Sequence, residues 1–274
     1  MRVSGIYLLP SILTAANVAL GYYSIMASIT QRWQEAAWCI LISVVVDMFD
    51  GRVARWTNST SKFGIEFDSL ADWMSFGIAP SVMMYLLMLK EYGRIGFAIS
   101  FLYVICGAIR LARFNIKSFA ESEPSPYFLG LPIPAAGGIL ASFVVLHVIW
   151  SGGGTKVRTI KLLMEQVPFF YHLLPGIVFG LSILMVSTFH YSSFKRVNIF
   201  KPKSLRAFIS FIVICLMVYV YPQNTIFILF LGYICSGILE FFWRVYSMRG
   251  MRNDLQVEST DDDSFEFKEE NGRF

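Results

Sequence analysis

The sequence predicts an all-α polytopic membrane protein with about eight transmembrane helices, and three observations carry that expectation. Of the 274 residues, 55% are hydrophobic and 16% aromatic, and the mean hydropathy is +0.57. That is oilier than an ordinary soluble domain, whose apolar share is ~45–50%. Eight apolar runs also approach the ~20 residues needed to cross a bilayer. Finally, lysine and arginine crowd alternate connections between those runs.

The first run, LLPSILTAANVALGYYSIMASI (Leu8–Ile29), is too long for a signal-peptide core and lacks a small-residue cleavage site, so it reads as a span. Trp33–Arg55, Phe63–Leu89, Gly93–Ile116, Pro132–Trp150, Tyr171–Phe189, the shorter Leu205–Tyr221 and Thr225–Tyr246 follow. With the N-terminus inside, the inner connections carry Arg52, Arg55 and Lys62, then Arg110, Arg113 and Lys117, then Lys195, Arg196, Lys201, Lys203 and Arg206. The outer ones carry only Arg32, Lys90, Arg94, Lys156, Arg158 and Lys161. Because positive charge stays on the cytoplasmic side, both termini and the loop between the second and third spans are expected there. Residues 1–250 then form one membrane domain, and the acidic tail 251–274, poor in apolar residues, is expected to be disordered. Cys39, Cys106, Cys215 and Cys235 have no paired spacing and read as buried reduced thiols. SGGGTK at Ser151 lacks the Gly-Lys-Ser/Thr ending of a nucleotide P-loop.

The chemistry concentrates in VVVDMFDGRVARWTNSTSKFGIEFDSLADWMS, from Val44 to Ser75. Asp47 and Asp50 are three residues apart, and Asp68 and Asp72 four apart. Helical spacing puts each pair on one face, ~4.5 and ~6 Å apart along the axis. Carboxylates converging in a low dielectric repel unless cations neutralise them. Hard oxygen donors without histidine or cysteine select Mg²⁺, Mn²⁺ or Ca²⁺. Two such ions would balance four acids and leave coordination positions for a substrate phosphate, an arrangement suited to in-line displacement at phosphorus. Gly51 and Ala54 clear a strip for close approach to the backbone, and Arg55 can donate to phosphate. Solvated helix ends or a cation transporter would also use acids, but neither needs Gly51, Ala54, Arg55 and Gly64 at these positions.

The pattern Asp50-Gly51-x-x-Ala54-Arg55, then eight residues, then Gly64-x-x-x-Asp68-x-x-x-Asp72, resembles the signature of the CDP-alcohol phosphotransferase family at every position, with Asp47 completing its extended form. The resemblance implies a helical bundle with an interfacial active site in residues 1–250. It implies two divalent cations (Mg²⁺ or Mn²⁺) shared by Asp47, Asp50, Asp68 and Asp72, and transfer of a substituted phosphate from a CDP-linked donor to an alcohol, releasing CMP. Asp72 by the same resemblance doubles as the base that deprotonates the acceptor. Gly51, Ala54, Arg55 and Gly64, with Thr14 and Asn17 of the first span, are the candidates for binding the donor. For Thr14 and Asn17, hydrogen bonds between helices are an equal explanation.

Four further stretches are similar to the membrane-type, serine-accepting branch of that family. They are PSILTAANVALG, ICGAIRLARFN with Arg110, Arg113 and Asn115, FLGLPIPAAGG, and STFHYSSFK with Lys195. The donor implied is CDP-diacylglycerol and the acceptor L-serine. Arg110 and Arg113, three apart, suit a carboxylate or the donor diphosphate, and equally an ordinary anchor at the inner surface. Asn115 and Lys195 divide in the same way between substrate and structure. Glycerol 3-phosphate or an inositol phosphate is the alternative acceptor within the family. The resemblance also implies a homodimer in the cytoplasmic (inner) membrane, surrounded by membrane lipids, and no nucleic-acid partner is expected.

Overall fold

The computed structural model describes residues 8–56, 61–120, 127–152, 161–187, 190–192, 212, 215–217 and 219–240. Long helices dominate these residues: α1 (Leu8–Ile29), α2 (Trp33–Trp56), α3 (Lys62–Leu87), α4 (Gly93–Ala120), α5 (Ile133–Trp150), α6 (Lys161–Val186) and α7 (Pro222–Glu240). Stretches of α1, α3, α4, α5 and α7 are long and apolar enough to cross a membrane, and α2 and α6 match them in length at 24 and 26 residues. The protein is a multi-pass helical membrane protein. The expected Leu205–Tyr221 span lies largely outside the described residues, as does the tail. Tyr127–Leu129 and His190–Ser192 add a short antiparallel ladder, with Phe128 opposite Tyr191. The four cysteines are free, with Cys106 buried and Cys39 partly so, while Cys215 and Cys235 lie on exposed faces.

Helix α5 is the centre of the bundle because nothing in IPAAGGILASFVVL carries charge and its small residues let neighbours close in from several sides. Every residue from Ala135 to Leu146 is buried, including Gly137, Gly138 and Ala141. A methyl at Gly137 would lie 3.1 Å from the Phe76 Cα, so α3 packs almost backbone to backbone there. Leu131 donates its N–H to the Leu184 carbonyl at 3.0 Å, tying the entry of α5 to the end of α6.

Helix α3 positions half of the acids, and its sequence fixes both its start and an internal change of pitch. Ser61 is its N-cap, accepting the Gly64 N–H at 3.0 Å, which sets the helical phase of Asp68 and Asp72. Directly after Asp72 the helix widens to π geometry over Trp73–Ile78, then returns to α over Ala79–Leu87. Pro80 explains part of this: it has no N–H for the Phe76 carbonyl four residues back. The Tyr103 hydroxyl of α4 donates to that carbonyl at 3.1 Å, and Trp73 Nε1 donates to the Val104 carbonyl at 3.1 Å. Both bonds anchor the wide turn to α4. Tyr103→Phe keeps the buried ring but orphans the Phe76 oxygen, so it should cost about 1–3 kcal/mol, read as a lower melting temperature in detergent.

Helix α1 lies against the same turn. A methyl on Gly21 would come within 2.9 Å of the Ser75 Cα, an approach only glycine permits. One turn earlier, this closeness brings Asn17 to α3.

Candidate active site and metal centre

Asp47 near the end of α2, and Asp68 and Asp72 of α3, converge so that one carboxylate oxygen from each lies within 4.8 Å of the others. Among the described residues, no histidine or cysteine joins them in that cluster. Three acids this close, partly withdrawn from solvent, create a charge excess that a cation must offset. The donor set is all oxygen, as hard divalent cations require, so the residues present fit Mg²⁺ or Mn²⁺.

Asp50 belongs to the same end of the bundle but stands outside that trio. It is 5% exposed, and its Oδ2 accepts the Thr14 hydroxyl of α1. Asn17 supports the trio from the other side. Its Nδ2 donates to Asp72 Oδ1 at 3.4 Å, its Oδ1 accepts the Ser43 hydroxyl of α2, and its carbonyl accepts the Ser75 hydroxyl at 2.8 Å. One buried amide thus links α1, α2 and α3 and holds a carboxylate in register. Ser43 and Ser75 did not stand out in the sequence, yet the signal was present. Ser43 is four residues before Asp47 and Ser75 three after Asp72, on the continuing faces of the acids.

Helix α4 brings a cation to the carboxylates. Arg110 is 9% exposed, lies 5.7 Å from the Phe114 ring, and is an electrostatic neighbour of both Asp72 and Asp47. Its Nε has no hydrogen-bond partner. Arg113 and Asn115, by contrast, bridge helices. Arg113 Nη1 donates to the Val186 carbonyl at the end of α6 at 2.5 Å, a favourable place for a cation. Asn115 Nδ2 donates to Ser69 Oγ at 3.0 Å and Glu66 Oε2 at 3.3 Å on α3.

The small residues divide as well. A methyl on Gly51 would meet nothing within 4 Å, leaving open space beside Asp50. Gly64 lies within the capped first turn of α3, where a methyl would come 3.1 Å from Ser61 Oγ. Ala54 and Arg55 are on the last turns of α2, with their side chains outside the described residues, and Lys195 lies outside them altogether.

A cavity of about 710 Å³ opens at the opposite end of the bundle, between Tyr23, Arg32, Trp33, Trp38 and His147. Its charges satisfy each other: Arg32 and Glu35 pair at 3.0 Å, and the Tyr23 hydroxyl donates to Glu35 at 2.7 Å. The charge excess lies instead at the carboxylate end, and the chemistry belongs there.

Residues 7–174 match the family model for CDP-alcohol phosphatidyltransferases. The chain is 39% identical over 244 residues to a CDP-diacylglycerol–serine O-phosphatidyltransferase of Helicobacter pylori (strain J99), covering 89% of this chain and 94% of that protein. It is 32% identical over 188 residues to the protein of the same name from Bacillus subtilis, covering 69% of this chain and 92% of that one. An archaetidylserine synthase of Methanothermobacter thermautotrophicus is 35% identical over 144 residues, 52% of this chain and 60% of its own length.

Proposed function

Since this chain belongs to the CDP-alcohol phosphatidyltransferase family, we propose that it transfers the phosphatidyl group of CDP-diacylglycerol to the hydroxyl of L-serine, giving phosphatidylserine and CMP. The observation that carries the reaction type is the Asp47–Asp68–Asp72 cluster with Arg110 beside it. The acceptor rests on the bacterial relatives, and serine also appears in the name of the archaeal one.

Asp47, Asp68 and Asp72, joined by Asp50, would hold two divalent cations, Mg²⁺ or Mn²⁺. When bound, such ions neutralise the carboxylates and draw charge from the diphosphate of the donor. Asn17 keeps Asp72 in place, and Asp72 accepts the proton of the serine hydroxyl. The serine oxygen attacks the β-phosphorus in line, the bond from that phosphorus to CMP breaks, and CMP leaves. The open strip at Gly51, with Ala54 and Arg55 following it on α2, admits the nucleotide and its phosphates. Transfer is direct, without a phosphatidyl-enzyme; isolation of a covalent lipid adduct formed in the absence of serine would contradict this step.

Arg110 takes the serine carboxylate, because it is the buried cation next to the carboxylate cluster. Arg113 and Asn115 shape the same pocket through their contacts to α6 and α3, and Lys195 is the remaining candidate for binding phosphate or carboxylate. Arg110→Ala should raise the KM for serine by roughly 100-fold while moving the KM for CDP-diacylglycerol far less. Steady-state kinetics with each substrate varied in turn checks this, and a change confined to the donor KM would assign Arg110 to the diphosphate.

The family resemblance implies a homodimer in the cytoplasmic membrane, and the arginine and lysine distribution favours termini and a carboxylate end that face the cytoplasm. The acceptor is tested by incubating purified protein with CDP-diacylglycerol and L-serine, glycerol 3-phosphate, inositol or inositol 3-phosphate, and identifying the lipid formed. Phosphatidylserine alone is the expected product. A phosphorylated lipid product would keep the metal centre and reassign Arg110, Arg113 and Lys195 to an acceptor phosphate.

A further inference from the structure

Helix α3 presents two faces that a regular α-helix of the same sequence would merge. Ala79 and Met83 lie seven and eleven residues after Asp72, so unbroken α pitch would set all three side chains on one face. Ala79 and Met83 are fully buried in the core, and the carboxylate would be drawn in with them. Asp72 joins Asp47 and Asp68 instead. The wide turn over Trp73–Ile78 separates the two faces. It takes up one extra residue, which rotates everything after it by about 100° relative to everything before. Ala79 and Met83, eight and twelve residues after Ala71, then line up with that fully buried alanine, and Asp72 stays off the core stripe.

The turn is held from two neighbouring helices. Within it, the Ala79 N–H reaches back five residues to the Met74 carbonyl. From α4, the Tyr103 hydroxyl donates to the Phe76 carbonyl and the Val104 carbonyl accepts from Trp73 Nε1, both at 3.1 Å. On the α1 side, the Asn17 carbonyl accepts the Ser75 hydroxyl at 2.8 Å, while Asn17 Nδ2 donates to Asp72 Oδ1 at 3.4 Å. One residue of α1 therefore touches both the turn and the acid that precedes it. A change in the pitch of the turn moves Asp72 against Asn17 and against the other two carboxylates.

We propose that the wide turn is the element that orients Asp72, and that Tyr103 and Trp73, which hold it open from α4, are positioning residues for the proton transfer. They act through the backbone of α3 rather than on substrate. The assignment rests on the serine-transfer reading, in which Asp72 takes the proton, and adds residues that the signature does not contain. Misplacing a reacting group by ~1 Å can cost ~10²-fold in rate. Losing one of the two anchors on α4 leaves the other in place, so the expected loss is smaller.

The test uses the full chain in detergent and follows CMP release with CDP-diacylglycerol and L-serine each varied, well below the melting temperature of every variant. Tyr103→Phe and Trp73→Phe should each lower kcat roughly tenfold while both KM values stay within about twofold. Val144→Ala, a truncation in the buried part of α5 away from the turn, is the control: it should lower the melting temperature and leave kcat within about twofold. A kcat within about twofold of wild type in both anchor variants overturns the proposal. So does a loss in Val144→Ala as large as theirs, since the rate would then follow stability alone. If Tyr103→Phe does not fold, Trp73→Phe decides by the same criterion. A wild type that transfers to a phosphorylated acceptor refutes the serine reading instead, and the same comparison of kcat is then made with that acceptor. A wild type that releases no CMP with any acceptor refutes the transfer reading and this assignment with it, so the failures are distinguishable.

Discussion

Asp72→Asn should reduce serine-dependent CMP release by ~10³-fold or more, the largest effect expected of any single substitution in this protein. The side chain has two duties. It is one of the three carboxylates whose oxygens lie within 4.8 Å, and in the proposed reaction it receives the proton of the acceptor. An amide matches the carboxylate in size but has no charge for a cation and no basicity for a proton, so both duties fail together. Asn17 would still find an oxygen to donate to, which keeps the local packing and makes a folding defect a poor explanation of the loss. The check is turnover of purified variant and wild type with the melting temperature measured in parallel. Turnover within tenfold of wild type would remove Asp72 from the mechanism.

The second large effect concerns Asp50, the acid whose Oδ2 is engaged by Thr14. If it shares a cation, Asp50→Asn should lower kcat by at least ~10²-fold and raise the concentration of Mg²⁺ or Mn²⁺ needed for half-maximal rate. Thr14→Val removes only the hydroxyl that orients it and should cost roughly tenfold, as loss of a supporting contact to a ligand does. The pair of variants separates two roles for the same carboxylate. Comparable small losses in both would make Asp50 a structural partner of Thr14, and an unchanged metal requirement in Asp50→Asn would leave the cations to Asp47, Asp68 and Asp72.

The helices were legible where apolar length alone defines them. Leu8–Ile29 and the start of the fourth span at Gly93 agree with α1 and α4 because charges or glycine bound those runs. The sixth helix was read short, from Tyr171, whereas α6 begins at Lys161. Pro168 lies inside α6, and a membrane helix tolerates an internal proline when neighbours satisfy the freed backbone groups. The π segment after Asp72 had no periodic signature, since its cause lies in Pro80, two residues past its end, combined with a tyrosine on another helix.

At the site, the acids were legible because their spacing is local: each pair lies on one helix face. What joins them is not local. Asn17 holding Asp72, Thr14 holding Asp50, and Asn115 reaching Ser69 each cross dozens of residues, and nothing in the periodicity of one helix specifies its partner on another.

The most direct measurement of the central claim is the balance sheet of one reaction. Purified protein in detergent receives CDP-diacylglycerol, L-serine and Mn²⁺ or Mg²⁺, and CMP and lipid product are counted together. The account predicts one phosphatidylserine for each CMP, no CMP when serine is omitted, and none when the divalent cation is chelated. CMP formed at an equal rate without serine, or undiminished by chelation, would contradict it.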